Sequence, residues 1–160
     1  MSPVIDLNRA SAITISNRMN SATSAVYTDA TAGRTFVADT VATGSSNDNK
    51  YVTKKIDLND EADVLDVWLN VNRPSGASVD LYYKVLNAGS ELNFDEQAWV
   101  LAPPTTPSYI IQNDRRQFSE VYYHIDPTGQ FGSFAFKIVL TSTNSANAPL
   151  VKDFRAVAST

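Results

Sequence analysis

The sequence predicts an all-β protein, an antiparallel β-sandwich of the jelly-roll type with an extended N-terminal arm. Three observations predict this class. Apolar and polar residues alternate in several short segments, and Pro, Gly and Asn occupy the turns between them. No segment has the apolar period of a helix. Seven or eight short strands of this kind are typical of two antiparallel sheets packed on one core.

The composition excludes several kinds of protein. A chain of 160 residues can form one domain with its own core. It has no cysteine, which excludes disulfides, a thiol nucleophile and thiolate metal sites. The net charge of −4 and the lack of basic runs interleaved with aromatic residues argue against nucleic acid. No apolar run approaches the roughly 20 residues that span a bilayer, so we expect no membrane partner. The N-terminus lacks the pattern of a signal peptide, which predicts synthesis in a cytoplasm.

Residues 1–49 differ from the rest of the chain and are predicted to be an extended arm or docking segment before a sandwich domain at 50–160. They are rich in Ser, Thr, Ala, Asn and Asp, with few large apolar groups. Ile13, Ile15 and the stretch 33–39 suggest short strands or docking points. Such a segment either stays unordered alone or becomes ordered on a partner subunit, and the sequence leaves both open.

Residues 62–86 carry the clearest strand signal in the chain. Two alternating runs flank a break in which Pro74 presets φ and Gly76 tolerates a positive φ. The spacing predicts a β-hairpin whose apolar face needs a second sheet over it. The apolar positions of the two runs are Leu65, Val67, Leu69 and Val71, then Val79, Leu81, Tyr83 and Val85.

Further strands are predicted on both sides of this segment. An edge strand at 51–58 carries lysines that discourage unwanted pairing, with Val52, Ile56 and Leu58 on one side. The others are 98–101, which contains Trp99, a brief strand at 109–111 within the long loop 102–117, 118–125, 132–142 and 150–158.

The last two of these strands carry most of the remaining predicted core. The strand 132–142 is the most apolar, with Ser133 and Lys137 pointing outward. The inward residues are predicted to be Phe134, Phe136, Ile138 and Leu140 in 132–142, and Leu150, Phe154 and Ala156 in 150–158.

Two groups of residues are candidates for catalysis or metal binding. His124 could belong to a Ser-His-Asp triad, but the sequence has no nucleophile elbow, and an ordinary strand histidine is favoured. A dense acidic segment could bind calcium or supply paired carboxylates for glycoside hydrolysis. It lacks the turn glycine and distal glutamate of a calcium loop, so a solvated acidic turn is favoured. We therefore predict no catalytic residue, no metal and no cofactor. The acidic residues are Asp57, Asp60, Glu61, Asp63 and Asp66.

The aromatic residues are the better candidates for a functional surface. Trp68, Tyr82 and Tyr122 fall opposite the apolar stripes of their strands, and Trp99 or Tyr109 could lie nearby. If the strands are neighbours, these rings form one exposed or half-buried patch. Such a patch suits a protein interface or stacking on sugar rings. Alternatively, the arm or a neighbouring subunit covers it.

An ordered series of motifs resembles a domain of virion structural proteins from large tailed bacteriophages, of the kind found in baseplate and tail-fibre-associated components. The resemblance spans about residues 33–158. It rests on a Thr-Lys-Lys strand, an Arg-Pro turn, a Tyr-Tyr-Lys strand, a Phe-Asp loop leading to Trp, and a closing Asp-Phe-Arg-Ala strand. These are NKYVTKKIDL at 49–58, DVWLNVNRPSGASVDLYYKVL at 66–86, FDEQAW at 94–99, FAFKIVLTSTN at 134–144 and PLVKDFRAVA at 149–158.

The resemblance implies a non-enzymatic structural component of a phage particle, in the baseplate, neck, fibre attachment or capsid surface. Its partners would be other virion proteins, and it would be a homo-oligomer in the particle. The alternative is a carbohydrate-binding module for host recognition.

Overall fold

The computed structural model describes residues 50–105, 111–142 and 147–160. Within these ranges the chain is all-β, with eight strands, one turn of 3-10 helix at Phe94–Glu96 and no α-helix. The predicted arm, its short strands and most of the predicted strand at 109–111 lie outside the described residues. The strands are β1 (Lys50–Val52), β2 (Ile56–Ala62), β3 (Val64–Asn72), β4 (Ala77–Asn87), β5 (Val100–Ala102), β6 (Ser119–Ile125), β7 (Phe131–Ser142) and β8 (Leu150–Ser159).

The strands form two antiparallel sheets that share one hydrophobic core. The five-stranded sheet has the order β1-β7-β4-β5, and β2 pairs with β7 on the same side as β1. The three-stranded sheet has the order β6-β3-β8. Core residues come from both sheets, and the Phe136 ring of β7 meets the Phe154 ring of β8 edge-on, with centroids 5.4 Å apart. The predicted all-β class is therefore confirmed.

The predicted hairpin at 62–86 is wrong. β3 pairs with β6 and β8, whereas β4 pairs with β5 and β7, so the turn between them carries the chain from one sheet to the other. The predicted turn itself is present: Gly76 has φ 77°, and Arg73 Nε donates to the Ala77 carbonyl at 2.7 Å. Alternation reports only which face of a strand is apolar. Two strands facing each other across a core alternate in the same way as two strands of a hairpin.

The predicted edge strand at 51–58 is interrupted and changes face. Val52 pairs with Lys137 and Ile56 pairs with Phe134, so four steps along one strand oppose three along the other. An extra residue of this kind reverses the faces of the residues that follow it. Val52 therefore points away from the core and Ile56 toward it, contrary to the prediction that they share a side.

A second irregularity corrects the prediction for β8. The pairing with β3 shifts between Asn70 and Val71, which leaves Lys152 as the extra residue between Val151 and Asp153. As a result Val151 packs against the core and Leu150 is not among the core residues, whereas Phe154 occupies the core side as predicted.

Candidate functional site

The predicted aromatic residues form two separate groups rather than one patch. Trp68 and Tyr122 lie on the outer face of the three-stranded sheet, and Tyr82 and Trp99 lie against the outer face of the five-stranded sheet. The prediction of a single patch is wrong because β3 and β4 belong to different sheets. Tyr109 lies outside the described residues.

The outer face of the five-stranded sheet is covered by the chain itself. The segment between β4 and β5 folds back over β4 and β7, and its Phe94 and Trp99 rings are buried against this face. Tyr82 is only 7% exposed and Trp99 only 6% exposed. These two rings therefore belong to a second small core, and neither presents a flat surface to a ligand.

Two buried lysines lie beneath this cover. Lys137 is 2% exposed and Lys84 is 6% exposed, and their ammonium groups lie 4.8 and 5.0 Å from the centre of the Trp99 ring. Lys137 lies on the outer face as predicted, but it is buried there. Burial lowers the pKa of Lys84, and the charge of Asp95 opposes part of that shift. Aromatic faces compensate part of the cost of burying these cations.

The opposite outer face, on the three-stranded sheet, carries a row of three side chains across its strands. Trp68 of β3 pairs with Tyr122 of β6 on one side and with Arg155 of β8 on the other. The Trp68 and Tyr122 rings are stacked with centroids 5.3 Å apart, and the Arg155 guanidinium carbon lies 4.3 Å from the Trp68 ring centre. The indole is therefore held between a phenol ring and a cation, and it remains partly exposed.

Asp66 and His124, which pair in the neighbouring row, form a hydrogen-bonded group with Tyr122. Tyr122 donates its hydroxyl proton to Asp66 Oδ1 at 2.5 Å, and His124 Nδ1 lies 2.8 Å from the same oxygen. The hydrogen bond from Tyr122, then that from His124, lowers the pKa of Asp66. The hydrogen bond to Asp66 raises the pKa of Tyr122. Asp66 therefore accepts hydrogen bonds from both neighbours, and the bond from Tyr122 restrains the phenol ring beside Trp68.

We call this surface the three-strand face. It consists of three strands with three outward residues each, all of them partly or fully exposed. It combines an aromatic centre with carboxylates, an amide, an imidazole and a guanidinium around it. Its members are Glu120, Tyr122 and His124 from β6, Asp66, Trp68 and Asn70 from β3, and Asp153, Arg155 and Val157 from β8.

The candidate residues for catalysis or metal binding do not form one group, although His124 and Asp66 are in contact. The hydrogen-bond partners found for His124 in the described chain are Asp66, Tyr122 and Thr105, and none is a serine. Asp57 contacts Lys55 and Ser133 on the five-stranded sheet, whereas Asp66 lies on the three-stranded sheet. No group of three or more acidic or histidine side chains in the described ranges could hold a metal ion.

The sequence did not indicate that Arg155 contacts the Trp68 ring or that Asp66 accepts hydrogen bonds from Tyr122 and His124. Arg155 was noticed only as part of the closing strand motif, and Asp66 only as one acid among five. Their proximity to Trp68 depends on the registers of β6 and β8 against β3. The outward positions of the three strands indicate this proximity only if β3 is paired with β6 and β8. The predicted hairpin paired β3 with β4 instead.

Comparisons with known proteins identify no relative of this chain. No protein-family model matches this chain, and no curated protein or solved structure is significantly similar to it. In the described ranges, no helix has the length and apolar character needed to cross a bilayer.

Proposed function

We propose that this chain is a non-enzymatic structural protein of a tailed phage particle that binds a neighbouring virion subunit through its three-strand face. The observation that carries the proposal is the arrangement of Trp68 between Tyr122 and Arg155 on a partly exposed sheet surface. The assignment to a phage particle rests on the motif series in the sequence alone.

The chemistry of the three-strand face supports protein contact. Trp, Tyr and Arg are the residue types most enriched among those that dominate binding energy at protein interfaces. Here the three lie side by side in one row, with charged side chains in the rows above and below. An apolar centre with a polar rim is the usual anatomy of such interfaces. The three side chains are also pre-organised. Ring stacking, the cation contact and the hydrogen bond to Asp66 hold them in place before a partner binds.

The rest of the chain would also serve assembly of the particle. The two antiparallel sheets would be a β-sandwich of the jelly-roll type, and residues 1–49 an arm that contacts other subunits. The protein would be made in the host cytoplasm, act as a homo-oligomer in the virion and need no cofactor. Symmetry in the particle would convert modest affinity at each face into stable attachment.

Incorporation into particles tests this proposal. Trp68→Ala should fold but should be incorporated at least about tenfold less than the wild type, because hot-spot truncations cost roughly 2 kcal/mol or more. Glu120→Ala, on the rim of the same face, is the matched control and should be incorporated normally. Normal incorporation of folded Trp68→Ala would refute the proposal for this face.

A second candidate function is carbohydrate binding by the same face in host recognition. One observation favours it: the Trp68 ring lies in one sheet with Asp66 and Asn70 two residues away on either side. Aromatic rings stack on sugar rings while carboxylates and amides hydrogen-bond their hydroxyls. A glycan array of bacterial surface sugars should then give signals that Trp68→Ala abolishes. Silence across the array would leave protein contact as the function of the face.

A further inference from the structure

The guanidinium of Arg155 has no polar partner in the part of the chain that the structure describes. It lies over the Trp68 ring, with its carbon 4.3 Å from the ring centre, but it takes part in no hydrogen bond or ion pair there. The residue is exposed. A guanidinium has five N–H donors and stays charged in proteins. Arg155 therefore presents charged donors without an acceptor on the three-strand face.

The two carboxylates beside Arg155 in the sheet are directed to other groups. Asp153, two residues earlier on the same face of β8, lies with Oδ2 3.5 Å from Asn70 Nδ2. Asp66 lies diagonally across on β3, and its Oδ1 accepts the two hydrogen bonds described above. Neither forms an ion pair with Arg155 in the described ranges. The face thus engages its own acids while its guanidinium stays without one.

The aromatic row holds the guanidinium in position. Arg155 contacts one side of the Trp68 indole, and the Tyr122 ring stacks on the other with centroids 5.3 Å apart. A guanidinium is planar, and its N–H groups form a rigid fork that matches the two oxygens of a carboxylate. Restricting such a side chain before binding lowers the entropy lost when it meets a partner. The row is therefore suited to present this fork.

We propose that Arg155 binds an aspartate or glutamate side chain of the neighbouring virion subunit through two parallel hydrogen bonds, and that this contact selects the partner of the three-strand face. The inference rests on the proposed function and adds the chemistry of the partner. A carboxylate supplies both acceptor oxygens in one plane, whereas a backbone carbonyl supplies only one oxygen and no charge.

The charges around Arg155 favour a carboxylate over a phosphate monoester. The same face carries the carboxylates Asp66, Glu120 and Asp153. A phosphate monoester with a charge of about −1.5 to −2 would be repelled by them nearly twice as strongly as a carboxylate. These acids would in turn attract cations of the partner. The partner surface that fits is therefore a single acidic side chain with lysines or arginines around it.

Incorporation of Arg155 variants into particles tests the inference. Arg155→Met keeps an apolar stem over Trp68 but loses the donors, and it should be incorporated about tenfold less than the wild type. Arg155→Lys should recover only part of this loss, because an ammonium group cannot form the fork. Arg116→Met removes the same charge from the exposed loop before β6 and should be incorporated normally. Urea unfolding of each isolated variant verifies that it is folded.

A charge reversal identifies the acceptor. Arg155→Glu would place one carboxylate against another, so it should be incorporated at least about threefold less than Arg155→Met. Equal incorporation of these two variants would assign a neutral acceptor and overturn the inference. Full recovery by Arg155→Lys would overturn it as well, because any cation would then suffice.

Trp68→Ala separates this inference from the proposed function. Normal incorporation of folded Arg155→Met together with poor incorporation of Trp68→Ala would overturn the inference alone, because the face would then bind without the donors of Arg155. Normal incorporation of both variants would refute the proposed function of the face too.

Discussion

The Trp68 indole stacks on the Tyr122 ring directly across the ladder between β3 and β6, with centroids 5.3 Å apart and planes inclined by 29°. The same Tyr122 donates its hydroxyl proton to Asp66, one outward position along β3. One tyrosine therefore links an aromatic contact to a carboxylate whose ionisation can be followed.

Asp66 should make stability depend on acid pH. Hydrogen bonds from Tyr122 and His124 lower its pKa from 3.8. The ionised carboxylate therefore stabilises the folded state at pH values above the pKa that Asp66 has in the unfolded chain. This contribution is lost as pH falls from about 5 through the lowered value. In urea unfolding, the wild type should lose more stability than Asp66→Asn between roughly pH 5 and pH 2.5. Asp60→Asn, on exposed β2, is the control, and equal losses in wild type and Asp66→Asn would contradict the assignment.

The two tryptophans should differ in what their removal costs. Trp99 is buried over Lys84 and Lys137, so Trp99→Ala should lower the free energy of unfolding by about 3–5 kcal/mol. Trp68 is partly exposed on a sheet surface, and Trp68→Ala should cost only about 1–2 kcal/mol. Chemical denaturation of both variants at pH 7 measures the difference. Equal costs would mean that one of the two burial assignments is wrong.

Replacing Lys84 by methionine should not destabilise the protein at neutral pH. Burial lowers the pKa of Lys84, so the folded state disfavours the charged form that is present at pH 7. Lys84→Met keeps the apolar stem and should unfold at an equal or higher urea concentration than the wild type. Because a lowered lysine pKa makes stability rise as pH approaches 10.5, the advantage of Lys84→Met should shrink in that range.

Lys54→Met supplies the comparison for this experiment, since Lys54 is exposed in the segment between β1 and β2. It should leave the free energy of unfolding within about 0.5 kcal/mol of the wild type at each pH. A large loss of stability in Lys84→Met at pH 7 would show that the contacts of the ammonium group with Phe94 and Trp99 outweigh the cost of its burial.

Asn72 should be important for the loop that precedes β6. It is 1% exposed, and its side-chain amide donates to the carbonyls of Asp114 and Gln117 at 2.8 and 2.6 Å. Asn72→Ala removes both of these hydrogen bonds and should cost about 2–3 kcal/mol. Asn70→Ala, on the exposed side of the same strand, should cost less than about 0.5 kcal/mol. Unfolding measurements on the two variants check this, and similar costs would count against the anchoring role.

The sequence predicted strand positions better than strand partners. Alternation located β3, β4, β6 and β7 to within one or two residues, since one buried face imposes a period of two on each strand. It could not reveal that β3 and β4 lie in different sheets, because the short turn with Pro74 and Gly76 serves an intersheet crossing as well as a hairpin. The error then carried over to the aromatic residues, which were assigned to one surface.

The sequence also could not predict which outward-facing side chains are buried. Lys137 and Tyr82 alternate outward as predicted, yet both are buried. Their cover comes from the segment containing Phe94 and Trp99, which appeared in the sequence as a loop and a short strand. The contact of Arg155 with Trp68 depends on a pairing that follows the extra residue at Lys152, and a shift of one residue would place Arg155 on the other face.

The most direct test of the central claim is cryo-electron microscopy of tailed phage particles that contain this chain. The account predicts that the three-strand face is buried against a neighbouring virion subunit, with the Trp68 ring, Tyr122 and Arg155 at the centre of the contact. A reconstruction in which this face is open to solvent and another surface attaches the protein to the particle would contradict it.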